Sequence, residues 1–148
     1  MEQNVIKFYE TDKPYGCFSN FSKHAIHMQG KIWPTSEHYF QAKKFEGTEH
    51  EEQIRLAPTP MEAARMGRER SRPLRYDWEH IKLDIMYEAV MAKIQQHKAV
   101  RDILLSTDKQ LLVEHTKNDA YWGDNGDGTG ENMLGKILMQ IRGEIESN

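Results

Sequence analysis

Residues 33 to 44 read Trp33-Pro34-Thr35-Ser36-Glu37-His38-Tyr39-Phe40-Gln41-Ala42-Lys43-Lys44. Their spacing sets an acid, an amide and an ammonium on one helix face. Pro34 disfavours helix upstream, and Thr35 or Ser36 is placed to cap the first exposed N–H groups. Glu37 then falls in the first turn, where the positive end of the macrodipole favours its carboxylate. Gln41 and Lys44 follow at i+4 and i+7. A well-capped surface helix with a dipole-compatible glutamate has the same pattern. This stretch alone therefore leaves two readings open, a surface helix or an acid-bearing site.

A second stretch, Asn118-Asp119-Ala120-Tyr121-Trp122-Gly123-Asp124-Asn125-Gly126-Asp127-Gly128-Thr129-Gly130-Glu131-Asn132, enters the last expected helix through alternating glycines. Such backbone at a helix N-terminus can cradle a phosphate, with Gly128-Thr129-Gly130 presenting the N–H groups. The alternative is a flexible connector, although a connector needs neither two adjacent aromatics nor three aspartates. A calcium loop fails on spacing. With Asp127-Gly128 at positions five and six, Gly123 takes position one and Leu134 position twelve. The run also lacks the strand–helix unit of a dinucleotide fold and the lysine–serine pair of a P-loop.

Arg65, Arg68, Arg70, Arg72 and Arg75 crowd around a helix end and Pro73. One or two suit phosphate, and the remainder suit surface pairing. His24 and His27 sit at i, i+3 in an expected strand, on opposite faces, and no histidine spacing suits a metal. His38 and His115 read as structural hydrogen-bonders, and no nucleophile elbow is present. Glu37, Trp78, Trp122 and Asp124 could line one cleft, in which an acid, aromatic walls and an anion cradle suit a nucleotide-like substrate. The natural chemistry there is cleavage at a sugar's anomeric carbon, through an oxocarbenium-like state that a carboxylate stabilises while it orients water.

The elements that must position these groups come from 148 residues, 38% hydrophobic and 29% charged. That is enough for one globular domain, read here as residues 1–148. A net charge of −3 argues against a general grip on nucleic acid. The lone Cys17 excludes an internal disulfide and a cysteine zinc site. The start, Met1-Glu2-Gln3-Asn4-Val5, carries no secretory signal, and no apolar run is long enough to span a membrane, so the expected location is cytoplasmic. Strands are expected at 5–9, 25–28 and 111–114, with a hairpin turn at Gln29-Gly30-Lys31. Helices are expected at 36–45, 49–57, 60–68, 78–97, 99–105 and 131–146. Ile81, Ile85, Ala89 and Ile94 form the stripe of the longest helix, and Leu134, Ile137, Leu138, Ile141 and Ile145 that of the last. Few, scattered strands point to a helix-rich α+β fold with a small sheet.

Taken together, these segments resemble the NADAR family of N-glycosidases. The matching pieces are Phe18-Ser19-Asn20-Phe21, Trp33 to Lys43, Ala64-Arg65-Met66-Gly67-Arg68, Pro73-Leu74-Arg75 with Trp78, Glu114-His115-Thr116, Asn118 to Asp124, and Asn132 with Leu134-Gly135. They run in order along nearly the whole chain. The resemblance implies a hydrolase that cuts the N-glycosidic bond between a phosphorylated ribose and a base or amine. Early riboflavin-biosynthesis intermediates and ADP-ribosylated guanosine, the latter within nucleic acid, are the two substrate classes. It makes Glu37 the catalytic carboxylate, Asp124 a second acid for the leaving amine, and Trp78 and Trp122 stacking walls. Ser19, Asn20, Phe21, Lys43, Gly123 and Asn132 join Gly128 and Gly130 as substrate contacts. No metal, cofactor, membrane or obligate protein partner is implied. The rival class is a non-catalytic module that binds ADP-ribose or a nucleotide and has no use for Glu37.

Overall fold

The computed structural model describes residues 4–147; the reading of Met1-Glu2-Gln3 as lacking a signal lies outside them. In chain order the elements are β1 (Val5–Phe8), a 3-10 turn (Gly16–Phe18), β2 (Ile26–Met28), β3 (Lys31–Trp33) and α1 (Ser36–Lys43). There follow α2 (Glu49–Arg55), α3 (Pro60–Gly67), α4 (Trp78–Gln96), α5 (Lys98–Ser106), β4 (Leu111–Glu114) and α6 (Met133–Glu146). The helix-rich α+β expectation holds. No helix among the described residues is long and apolar enough to cross a membrane. The elements group into two compact units, residues 4–19 with 97–147, and residues 20–96.

In the first unit β1 lies parallel to β4, with Val5 opposite Leu111 and Phe8 opposite Glu114. A parallel pair needs a long crossover, and the chain supplies one by building the other unit between its strands. Helix α6 packs on β4 and α5. It turns Leu134, Ile137, Leu138, Ile141 and Ile145 inward, as their spacing foretold. Buried Arg142 donates to Thr107 Oγ1 at 2.8 Å and to the Gln110 carbonyl at 2.9 Å, so its charge is met by two acceptors. Phe8 and Phe18 meet edge to face, with centroids 5.7 Å apart.

The second unit is built around α1, which touches α2, α3, α4 and β3. β2 and β3 form the expected antiparallel hairpin. Its turn places Gln29 and Gly30 at positive φ, the two-residue geometry that suits the twist of a hairpin. Threonines cap three successive helices: Thr35, Thr48 and Thr59 accept from the backbone N–H of His38, His50 and Glu62. The surface-helix reading of α1 fails, because all eight of its residues are buried. Trp33 and Tyr39 pack edge to face beside it, 5.1 Å between centroids.

His38 shows how a buried polar group on α1 is accommodated. Its Nε2 lies 3.0 Å from the Ala57 carbonyl and must carry the proton; its Nδ1 lies 2.8 Å from Thr35 Oγ1. Burial pulls its pKa below the usual 6.5, and the bond to Ala57 opposes this only in part. The unfolded chain therefore binds the proton first as pH falls. The stability His38 contributes is present above pH 6.5 and is lost as pH drops toward the lowered folded value. Replacing His38 by Gln should flatten the dependence of the urea midpoint on pH between about 7 and about 5. A variant with the wild-type slope would assign that dependence to other groups.

Candidate active site

The start of α1 is fixed from the preceding loop. The Asn20 carbonyl accepts from the Glu37 N–H at 3.1 Å, and Asn20 Oδ1 accepts from Ser36 Oγ at 2.7 Å. Asn20 Nδ2 points to Met86 Sδ at 3.3 Å. Asn20, expected to touch substrate, thus anchors the start of α1 through its carbonyl and Oδ1, while its Nδ2 reaches α4.

One turn along, Gln41 Nε2 donates to Glu37 Oε2 at 2.7 Å. Glu37 is 8% exposed and Gln41 6%. Gln41 Oε1 is buried and accepts no hydrogen bond from the described residues. Such a buried acceptor is costly unless something donates to it. α3 closes over this pair through Gly67: a Cβ at that position would lie 2.0 Å from Gln41 Oε1. Glycine here is required by close approach, not by backbone angle.

Lys44 completes the face. Its Nζ donates to the Gly67 carbonyl at 3.2 Å and lies about 6 Å over the rings of Phe40 and Trp78. Burial lowers its pKa from the usual 10.5, against the raising influence of Glu37, and the charge of Arg68 adds to the lowering. Lys44, Gly67 and Trp78 line a cavity of about 280 Å³ together with Phe45, Leu74 and the Arg68–Arg72 loop. Trp78 packs edge to face on Phe40 at 5.1 Å and is only 5% exposed.

Lys43, expected as a substrate contact, points elsewhere. It is 1% exposed, binds Gln29 Oε1 and Glu51 Oε2, and sits 5.0 Å over the Trp33 ring. These contacts hold α1 to α2 and the hairpin turn, and Glu46 Oε2 lies 3.4 Å from the same Nζ. Phe21 is half-buried, and Ser19 is buried at the end of the other unit, its N–H bonded to the Gly16 carbonyl.

Trp122, Asp124 and the glycine run belong to that other unit, residues 4–19 with 97–147. The expected phosphate cradle is not formed by its amides, because they are spent on the loop itself. Gly128 and Gly130 donate to the Asp124 carbonyl, and Thr129 donates to Asp127 Oδ1. Asn132, Met133 and Leu134, where α6 begins, donate to the carbonyls of Gly123, Tyr121 and Trp122. Gly130 is needed for packing, since a Cβ would lie 2.3 Å from the Gly123 carbonyl oxygen, and Gly123 is hemmed in by Thr116 and Glu114. Gly128 does take a positive φ of 86°.

Asp124 also departs from its expected role as second acid. Burial would raise its pKa, but hydrogen bonds from the His115 ring, Gly126 N–H and Thr116 N–H outweigh that and hold the carboxyl below its ordinary value. A group held anionic has no proton to give a leaving amine at neutral pH. Asn132 is likewise a clamp: it accepts from Glu114 N–H and donates to the Leu112 carbonyl, both at 2.9 Å, tying α6 to β4. Trp122 is half-buried beside Tyr121, edge to face at 4.8 Å.

Gln41, Lys44 and Gly67 were not among the site residues expected from the sequence, while Arg68 and Arg70 belong to the five arginines of which one or two were expected at phosphate. The helical spacing of Gln41 and Lys44 from Glu37 was a signal for the first two. Nothing in spacing marks Gly67 as the residue that lets α3 reach Gln41.

Comparison with known proteins agrees with this arrangement of elements. The chain is 52% identical to N-glycosidase YbiA of Escherichia coli strain K12, over 98% of this chain and 91% of that protein. The NMR structure of E. coli YbiA superposes with a TM-score of 0.91, covering 99% of this chain and 88% of that one. N-glycosidase Npun_R5314 of Nostoc punctiforme is 48% identical over 97% of this chain and 94% of its own length. The chloroplastic riboflavin biosynthesis protein PYRR of Zea mays is 43% identical over 97% of this chain, which spans 26% of that protein. The NADAR domain model matches residues 7–146, and the chain belongs to the NADAR domain family.

Proposed function

We propose that this protein is an N-glycosidase that hydrolyses the bond between a phosphorylated ribose and an N-linked amine or base, with Glu37 as its catalytic carboxylate. The observation that carries this reading is the buried pair Glu37–Gln41, 2.7 Å apart, beside a lysine whose proton is loosened by burial. A capping glutamate would need neither partner. Relatives named for riboflavin biosynthesis favour the phosphoribosylamine intermediates of that pathway over ADP-ribosylated guanosine.

In this reading Glu37 stabilises positive charge developing at the anomeric carbon and takes a proton from the attacking water. The water oxygen bonds to that carbon as the carbon–nitrogen bond breaks, and the bonding pair leaves with the nitrogen. Lys44 gives the nitrogen its proton, burial having made the ammonium more acidic, and regains one from Glu37. Gln41 Nε2 fixes the carboxylate's orientation. A site held this rigidly places its charge before the reaction begins, which is where electrostatic catalysis is strongest.

Exchanging Glu37 for Gln keeps shape and most contacts, so the variant should fold and bind while kcat falls by ~10²-fold or more. Unchanged turnover would remove Glu37 from the mechanism and revive the binding-module reading. Gly67→Ala tests the second half of the pair. Alanine favours the helix by about 1 kcal/mol over glycine, yet its methyl must push Gln41 off Glu37. We expect kcat to fall at least ~10-fold with the thermal midpoint close to wild type. Full activity in that variant would show that Gln41 does not position the acid.

A further inference from the structure

The Arg65–Arg75 stretch divides cleanly by what each guanidinium touches. Arg65 pairs with Glu62 and Glu69 on the helix surface. Arg72 binds Glu69, His50 and Gln53, and Arg75 binds Asp77 and Glu46. Arg68 and Arg70 are exposed, and their guanidiniums form no hydrogen bond or ion pair with the described residues. Both line the cavity of about 280 Å³ that Lys44 and Trp78 enter.

The helix dipole gives only a partial account of this. Arg68 follows the C-terminus of α3, where cations are favoured, but the Gly67 carbonyl there already accepts from Lys44 Nζ. Arg70 lies beyond the last turn. The lone acid on the cavity wall, Glu69, is engaged by Arg65 and Arg72. What remains is a small concavity with an apolar wall, one half-buried ammonium and two uncommitted guanidiniums, adjoining the Glu37–Gln41 pair through Gly67.

We infer that Arg68 and Arg70 form the phosphate subsite of this enzyme, receiving a monoester phosphate on the ribose whose anomeric carbon meets Glu37. Guanidinium forks match phosphate oxygens in pairs, which makes arginine the suitable residue type. At about 280 Å³ the cavity lies just under the usual lower bound for ligand pockets, about 300 Å³, and so suits a monophosphorylated sugar better than a dinucleotide. This assignment moves the phosphate away from the glycine run, whose amides are already taken. It rests on the N-glycosidase reading for the identity of the sugar, but phosphate capture can be measured without any turnover.

The test is calorimetric binding of ribose 5-phosphate and of ribose to the full chain, wild type against Arg68→Gln, Arg70→Gln and the double variant, with Arg65→Gln as control. Exposed arginines can be exchanged without disturbing the fold, and circular dichroism of each variant checks that they have been. We expect each single variant to weaken ribose 5-phosphate by ~10-fold or more and the double variant by more than either. Ribose, and the Arg65→Gln control, should show no such change. Wild-type affinity for ribose 5-phosphate in the double variant would overturn the subsite, as would failure of the wild type to prefer it over ribose. Loss of phosphate binding in the double variant would uphold the subsite even if the wild type cleaved no N-glycoside, an outcome that would count against the proposed function alone.

Discussion

Helix α1 is enclosed on every side while carrying Glu37, His38, Gln41 and Lys43, and the unit around it is organised to meet the cost of burying them. Ionisable groups taken out of water need partners or they change protonation state. Lys43 finds Glu51, Gln29 and the faces of two aromatic rings; His38 finds Thr35 and the carbonyl of Ala57. α2, the hairpin turn and the loop before α3 each supply a partner to this one helix. Gln41 is the exception, because half of its amide is bonded to Glu37 and the other half to none of the described residues.

That contrast between spent and unspent polar groups separates scaffold from site. Asp124, Asn132 and the amides of the glycine run have the residue types of a binding site but are saturated by one another, and they hold β4 to the start of α6. Arg65, Arg72 and Arg75 are saturated too. Gln41 Oε1, Arg68 and Arg70 are not, and all three adjoin Gly67 or the cavity it lines. A close approach that only glycine permits thus brings the acid's partner to the wall of a basic cavity.

Much of this was legible in the chain. The helix starts at residues 36, 49, 60 and 78 were expected where they occur, with Thr35 among the candidate caps, and the apolar stripe of α6 named its buried face. The surface pairing of Arg65 with Glu62 follows from i, i+3 spacing alone. Lys43, Asp124 and Asn132 also make contacts that spacing could not show, because partners lie far along the chain: Glu51 is eight residues from Lys43, Thr116 eight from Asp124, and Leu112 twenty from Asn132. Hydrophobic pattern also could not show that α1 is buried, since its polar residues are satisfied rather than solvated. His38, read as a structural hydrogen-bonder, does bond Thr35 and the Ala57 carbonyl.

The most direct test of the account is an amide NMR titration of the Glu37→Gln protein, which should bind without turnover, with a phosphoribosylamine substrate. Perturbations are expected at residues 37, 41, 44 and 67–70, with Gly126, Gly128, Gly130 and Asn132 unmoved, because the first group borders the acid and its cavity while the second is bonded within its own loop. Perturbations confined to the glycine run, with α1 and the Arg68–Arg70 loop silent, would contradict the account and return the substrate to that loop.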